Sequence, residues 1–247
     1  MELLNKKRNL MPDSATVNES RHSELEPLIK MCDTVSSLTN QSVFLTDYIR
    51  QSFPYVSPHH LFLCGYTREE VQESGYAFIK KIVPPEDYQM LVELIQTGWK
   101  FIHNSPEKQF RVSYDYHLRH KNGNRILVNQ KVAPLLFAND GTPWVNLCIL
   151  NYSARKEAGN VAFNFKNESL YYKYDFEKKK IIPYTPEKLT RREEEIMRLS
   201  IQGYSETGIS EKLHLSVQTV RNHRRNIIKK LGVNSLSNAI SEFNLAF

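Results

Sequence analysis

The sequence predicts an α+β protein in two domains: an antiparallel sheet with helices, then an all-α bundle of four short helices containing a helix-turn-helix. Three observations predict this. At 247 residues the chain is longer than one typical domain of roughly 100 to 200 residues. Between Phe110 and Tyr152 apolar and polar side chains alternate around Asn122-Gly123 and Asp140-Gly141, residue pairs that mark tight turns between antiparallel strands. From Leu189 onward apolar residues recur at helical spacing, with Ser, Thr and Gly where helices start and stop.

Composition narrows the class. Hydrophobic residues at 40% and aromatics at 11% supply packed cores and exclude a disordered chain. No apolar run nears the roughly 20 residues that cross a bilayer. Residues 1–30 also lack the apolar stretch of a signal peptide, so a cytoplasmic protein with no membrane partner is expected. Cys32, Cys64 and Cys148 are odd in number and far apart, which suggests neither a disulfide framework nor a thiolate zinc site. A net charge of +6 permits a polyanionic partner, and where the charge sits decides. The sequence has no GxGxxG, Walker A, GxSxG or HExxH motif, so nothing supports an enzyme or a catalytic residue.

A polar leader, residues 1–24, precedes a helix carrying Leu25, Leu28, Ile29, Cys32 and Val35 on one stripe. Short β-rich runs over 43–57 give way to a helical patch broken at Gly65 and Gly75. Pro84 and Pro85 before Glu86 and Asp87 open a helix over about 86–103, with Tyr88, Leu91, Val92, Ile95 and Trp99 on one face. Phe110, Val112, Tyr114, Tyr116 and Leu118 then alternate with polar residues, and a two-residue turn at Asn122-Gly123 returns the chain from Arg125 to Leu136. A third strand runs from Trp144 to Tyr152. This pairing sets Tyr114 near Lys131 and Tyr116 near Asn129, making Tyr114, Tyr116 and Asn129 a candidate ligand pocket, unless they are plain core. A slip of one residue would reverse the faces.

The stretch 25–153 resembles a PAS domain. The early strand pair, LFLCGYTREEV (Leu61 to Val71), IVPPEDYQML (Ile82 to Leu91) and YHLRHKNGNRILV (Tyr116 to Val128) carry the resemblance by their order and spacing. It implies a five-stranded antiparallel sheet with helices over one face, a module that senses small ligands or mediates dimerisation. Cys64 in FLCGY lacks the Asn, Arg and Gln that surround the cysteine of flavin-binding light sensors, so flavin photochemistry is not expected. No cofactor is assigned. A haem on His59 or His60 is the alternative, since some PAS domains bind haem, and would make the protein an oxygen or redox sensor. No metal site is expected either, because His117 and His120 at i and i+3 on a strand point to opposite faces.

Residues 154–186 read as a connector. Its aromatics, Phe163, Phe165, Tyr171, Tyr172, Tyr174 and Phe176, are too many for a free tether. Alternation from Leu170 to Asp175 suggests a strand and Ile181-Ile182 its return, so a β-hairpin over Tyr171 to Ile182, packed on one domain, is expected. Pro183 and Pro186 are expected to end any strand.

The last domain, 187–247, is the most legible. Thr190 with Glu193 forms a capping box, and Gly203 stands just past the first helix in a left-handed cap position. Ser205, Ser216 and Ser235 are placed to open three more helices, and Gly232 stops the third. Leu236, Ala239, Ile240 and Phe243 share a face of the fourth. On the third helix Val220, Ile227 and Leu231 form an inner stripe, leaving Gln218, Arg221, Asn222 and Arg225 on the opposite one. Arg suits guanine O6 and N7, while Asn and Gln suit adenine N6 and N7. Between Ser216 and Leu231 the charged residues are Arg221, Arg224, Arg225, Lys229 and Lys230, with no acid among them, which is the footprint of phosphate binding.

The segment Leu189 to Val233 is similar to the LuxR-type helix-turn-helix of bacterial transcription regulators. The agreement covers L-T-x-R-E-x-E-I, the G-x-S before the second helix, L-S-x-x-T-V-R-x-H and the closing N-I-x-x-K-L-G-V. The resemblance implies double-stranded DNA as partner, with Arg221, Asn222 and Arg225 facing the groove, Thr219 and Lys229 at phosphates, and two protomers paired through the fourth helix. From its place on the same stripe Gln218 is expected to join the base contacts, and Arg224 among the helix's cations is expected to join the phosphate contacts. Gly208 stands where the family has an acid, removing a second capping box, and Leu236 where a basic residue is common. The expected protein is a homodimeric regulator whose PAS-like domain answers a signal. A promoter-recognition module like sigma factor region four is the other alternative.

Overall fold

The computed structural model describes residues 17, 19–105, 107–166, 171–185 and 187–240. Leu170, Pro186, Phe243 and most of the leader lie outside them. The chain divides into two compact units, one of residues 1–153 and 157–184, the other of residues 154–156 and 185–247.

In the first unit a 3-10 turn, Glu19–Glu24, leads into α1 (Leu25–Thr39), β1 (Ser42–Asp47) and β2 (Ser52–Val56). Three short helices follow: α2 (His60–Leu63), α3 (Arg68–Ser74) and α4 (Ala77–Ile82). Then come α5 (Pro85–His103), β3 (Phe110–Arg119), β4 (Arg125–Phe137) and β5 (Pro143–Tyr152). The sheet does not stop there. β6 (Gly159–Phe165), β7 (Tyr171–Asp175) and β8 (Lys180–Tyr184) extend it to eight antiparallel strands in the order β2-β1-β5-β4-β3-β6-β7-β8. The expected five strands are the contiguous block β2 to β3, and the stretch read as a connector supplies three more.

The hairpin β7–β8 packs within this unit, as its aromatic content requires. The Tyr174 hydroxyl donates to Glu93 on α5 at 2.5 Å, and the Tyr172 ring meets Phe101 of α5 edge-on at 5.1 Å. Pro183 does not end the strand; it sits inside β8, opposite Tyr172. A proline is tolerated there because β8 is an edge strand. The other edge strand, β2, also carries one, Pro54.

Register departs from expectation by one residue. Tyr114 pairs with Gln130, Asp115 with Asn129 and Tyr116 with Val128. His120 N donates to Asn124 O and Gly123 N to His120 O, both at 2.8 Å, and Gly123 alone of the turn takes positive φ, +91°. The loop is thus a type I turn closed by a left-handed glycine, with three residues rather than two, and the odd count shifts every pair by one. Gly141 (φ +79°) closes the β4–β5 turn in the same way.

Two apolar layers cover the sheet. On one face Phe44, Phe62, Phe78, Tyr116, Leu118, Val128 and Leu150 form the main core with α2 to α5. On the other, Cys32, Leu28 and Ile29 of α1 cover Val43, Leu45, Tyr55, Val145, Leu147 and Ile149. A strand such as β5, apolar on both sides, needs both layers. Asp87 pins the start of α5 to β3, standing 2.8 Å from Nδ1 of His117.

The second unit contains α6 (Arg191–Ile201), α7 (Glu206–Leu213) and α8 (Val217–Leu231), then helical turns at 236–240. Ile196, Met197, Ile209, Val220, Ile227, Val233 and Ala239 are its core. Among the described residues no helix is long and apolar enough to cross a membrane.

Candidate nucleic-acid interface

Local chemistry fixes each helix of the bundle. Thr190 Oγ1 accepts from Glu193 N and the Glu193 carboxylate accepts from Thr190 N at 2.7 Å, a complete capping box. Ser205 Oγ accepts from Gly208 N at 3.1 Å; with glycine at that position no reciprocal carboxylate is available. Arg192 donates to the Leu213 carbonyl at 2.8 Å, tying α6 to the end of α7. His214 takes the left-handed conformation, φ +53°, and only residues 214–216 separate α7 from α8. Ser216 Oγ accepts from Thr219 N at 3.0 Å and Gly232, φ +64°, ends α8. Ser235 opens the last turns by accepting from Asn238 N.

Val220 and Ile227 are fully buried on the inner side of α8. Gln218, Arg221, Asn222, Arg225 and Lys229 are all exposed. Gln218 Nε2 donates to Asn222 Oδ1 at 3.2 Å, so these two amides hold each other in place. The Thr219 hydroxyl lies 2.8 Å from that of Ser216, at the start of the helix.

Two of the five cations on α8 serve the bundle. Arg224, expected at a phosphate, is turned inward: its side chain is 15% exposed, and Nη2 donates to Ser200 Oγ and to the Tyr204 carbonyl, both at 3.1 Å. Lys230 lies 2.7 Å from Oε2 of Glu193. Burial pushes the Glu193 carboxyl up, but Lys230 and the Thr190 amide and hydroxyl outweigh it and hold the group below its usual range. Arg221, Arg225 and Lys229 remain as the exposed cations of this stripe. Arg221 Nε donates to Glu206 of α7 at 2.6 Å, a partner that no periodicity within α8 reveals.

A luxR-family model of bacterial regulatory proteins matches residues 187–243, and a PAS-fold model matches residues 53–150. The spore germination protein GerE of Bacillus subtilis is 43% identical over 54 residues, which are 22% of this chain and 73% of GerE. The chain belongs to the luxR family of bacterial regulatory proteins. The transcriptional regulatory protein DegU of Brevibacillus brevis is 46% identical over 54 residues, but this luxR-family chain spans only 23% of DegU's length. Among solved structures, a VqmA dimer of Vibrio cholerae aligns over 81% of this chain and 80% of its own at 18% identity, with a TM-score of 0.32. A PAS domain from Colwellia psychrerythraea aligns over 52% and 96% at 15% identity and a TM-score of 0.38. Members of the luxR family are DNA-binding regulators, and the family's helix-turn-helix is α7–α8 in this chain.

The expected ligand pocket is rearranged by the register. Asn129 lies on the opposite face from the tyrosines, where its amide bonds Ser113 and Asp115 at 3.0 Å. Tyr114 and Tyr116 point into the core face, their rings 5.8 Å apart, and the Tyr116 hydroxyl donates to Gln130 at 2.6 Å. Tyr48 and Tyr76 meet edge-on at 6.2 Å, and Tyr48 meets Trp99 at 5.4 Å. Burial first, then mutual proximity and that of Cys148, pushes the Tyr114 phenol far up; burial likewise raises Tyr48, Tyr76 and Tyr116 and pushes the Cys148 thiol up to about 12. The phenols and the thiol of this cluster are therefore uncharged, and buried Asp47 acts on Tyr76 from nearby. Asn146 of β5, fully buried, alternates with Cys148 and faces Thr46 across the strand pair. Neither polar atom of its amide has a hydrogen-bond partner among the described residues.

His59 accepts from Leu61 N at 3.2 Å as the cap of α2. His60 stacks on it at 4.4 Å and stands 3.2 Å from the Tyr152 hydroxyl. Both are engaged locally on the surface side. Among the described residues no group of three or more His, Cys, Asp or Glu is placed to hold a metal.

Proposed function

We propose that this luxR-family protein is a homodimeric, sequence-specific transcription regulator that reads DNA through α8 and answers to a small uncharged molecule in its sheet unit. The observation that carries the DNA reading is the exposed stripe Gln218, Arg221, Asn222, Arg225 on a helix whose opposite side is fully buried. Arg221 and Arg225 would take guanines, Gln218 and Asn222 adenines, and Thr219 and Lys229 phosphates. Selection from a library of randomised duplexes tests it. Arg221→Ala and Arg225→Ala should each weaken binding to the selected sequence by about 1–3 kcal/mol and relax one base position. Lys229→Ala should lower affinity for every sequence alike and reduce the salt slope by about one. Equal losses on selected and random DNA for all three would remove the assignment.

Two recognition helices bind well only when both fit half-sites about one helical turn apart, which requires a dimer. The second stripe of α1 supports a contact there: Met31, Val35 and Leu38, at i, i+4 and i+7, are 44%, 38% and 81% exposed on a helix whose other side is already packed. Val35→Glu with Leu38→Glu is expected to shift the protein toward monomer in sedimentation and to weaken binding to a two-half-site duplex. An unchanged dimer would exclude this contact.

Asn146 supports the sensing reading. A buried amide without partners costs about 1–3 kcal/mol, so this unpartnered amide opposite Thr46 supports a ligand that pairs with it. The neutral phenols and thiol favour an uncharged molecule with a donor and an acceptor for the amide. Asn146→Leu should leave the unliganded sheet unit as stable or more stable, while abolishing any thermal shift that small uncharged heteroaromatic molecules give the wild type. A variant that is destabilised and still shifts would remove Asn146 from the site. A haem absorption band in the purified protein would favour the haem alternative instead.

A further inference from the structure

Glu206 is an acid beside a surface otherwise suited to a polyanion. It opens α7 directly after the cap Ser205. Its Oε2 accepts from Arg221 Nε at 2.6 Å, and its Oε1 lies 3.7 Å from Arg224 Nη1. Arg224 is fastened in turn to Ser200 and Tyr204. A continuous chain of contacts thus runs from the end of α6 through Arg224 and Glu206 to Arg221. Isolated surface ion pairs are weak and mobile, but this carboxylate is engaged through both oxygens and anchored on a largely buried guanidinium.

We propose that Glu206 is a positioning residue that sets base discrimination by holding Arg221 in its reading posture. This rests on the DNA-reading role of α8. With Nε given to Glu206, the guanidinium presents its two terminal nitrogens outward, the pair that can bond guanine O6 and N7 together. Fixing the side chain beforehand lowers the conformational entropy that base contact would otherwise cost. Glu206 has a second effect. Amides at a helix N-terminus attract phosphate, and a carboxylate in the first turn of α7 offsets that attraction. The same residue therefore strengthens one specific contact and weakens nonspecific ones.

The experiment compares full-length wild type, Glu206→Gln, Glu206→Ala, Arg221→Ala and the Glu206→Gln/Arg221→Ala pair, using the randomised duplex library and a fixed random duplex at two salt concentrations. The Gln variant keeps size and an acceptor while removing the charge. For Glu206→Gln we expect the guanine preference at the Arg221-dependent position to fall about fivefold or more, with the other positions unchanged. Affinity for random DNA should stay level or rise, and the melting temperature should stay near wild type. The paired variant should lose no more at that position than Arg221→Ala alone, and Glu206→Ala should relax the same position. Wild-type base preference in Glu206→Gln, a loss equal on all sequences, or losses that add in the paired variant would overturn the proposal while leaving the α8 reading in place. A wild-type protein that selects no sequence would overturn both.

Discussion

Lys230→Met should strongly destabilise the C-terminal bundle while the sheet unit continues to melt as in the wild type. The Glu193 side chain is 4% exposed, and Lys230, 23% exposed, is its cationic partner at 2.7 Å. Removing the cation leaves the buried carboxylate uncompensated and costs at most about 3–5 kcal/mol, even where replacing both by apolar groups is nearly neutral. A core of this size supplies only about 3–5 kcal/mol in total. The pair also predicts a pH dependence. The carboxyl of Glu193 is held below its unfolded value. Its contribution is therefore full above the unfolded value of about 4.3 and is lost as pH falls from there through the folded one. The wild-type bundle should weaken from about pH 5 toward pH 3. The variant, whose carboxylate is stabilised by Thr190 alone, should show a flatter profile in the same window. Glu193→Gln combined with Lys230→Met should recover part of the loss, because Gln still accepts from Thr190 N. Circular dichroism melts at several pH values decide it: a Lys230→Met bundle within about 1 kcal/mol of wild type would mean that the pair is solvated.

Gly75→Ala should be the most damaging single-methyl change in the sheet unit. Gly75 sits at φ +51°, ψ −142°, a region nearly closed to other residues, which costs of order 1–3 kcal/mol to occupy. A Cβ there would stand 2.7 Å from the Gln51 carbonyl oxygen, and that carbonyl accepts from Tyr76 N at 3.0 Å. The clash would displace the backbone that carries the Tyr76 ring. Gly123→Ala is the matched control: its φ is also positive, +91°, but its Cβ would meet nothing within 4 Å, leaving only the conformational cost of about 1 kcal/mol. Thermal melts should separate the two variants by several degrees. Equal shifts would show that the Gln51 loop gives way freely.

Strand and helix limits were legible because alternation and capping are local signals. Pro85, Thr190, Ser216 and Gly232 mark their boundaries by their own chemistry. Register was not, since Asn122-Gly123 suits both a two-residue turn and a type I turn with a left-handed glycine, and the two differ by one pair. That ambiguity misplaced Asn129 and hid Asn146, whose neighbours in WVNLCIL read as apolar on both faces. Arg224 was legible in principle: it lies four residues after Val220 and three before Ile227, on the inner stripe, where a tally of α8 cations conceals it. Glu206 lies 15 residues from Arg221 on another helix, and only the fold brings them together.

The prolines of β2 and β8 have a consequence for how copies of this chain can meet. An open sheet of eight strands has two free borders, and each is a row of backbone groups on which a further strand could accrete. Pro54 interrupts one border and Pro183 the other, with Lys180 adding charge to the second. Neither border offers an unbroken template, so growth by strand addition, the route toward fibrous aggregates, is obstructed at both ends.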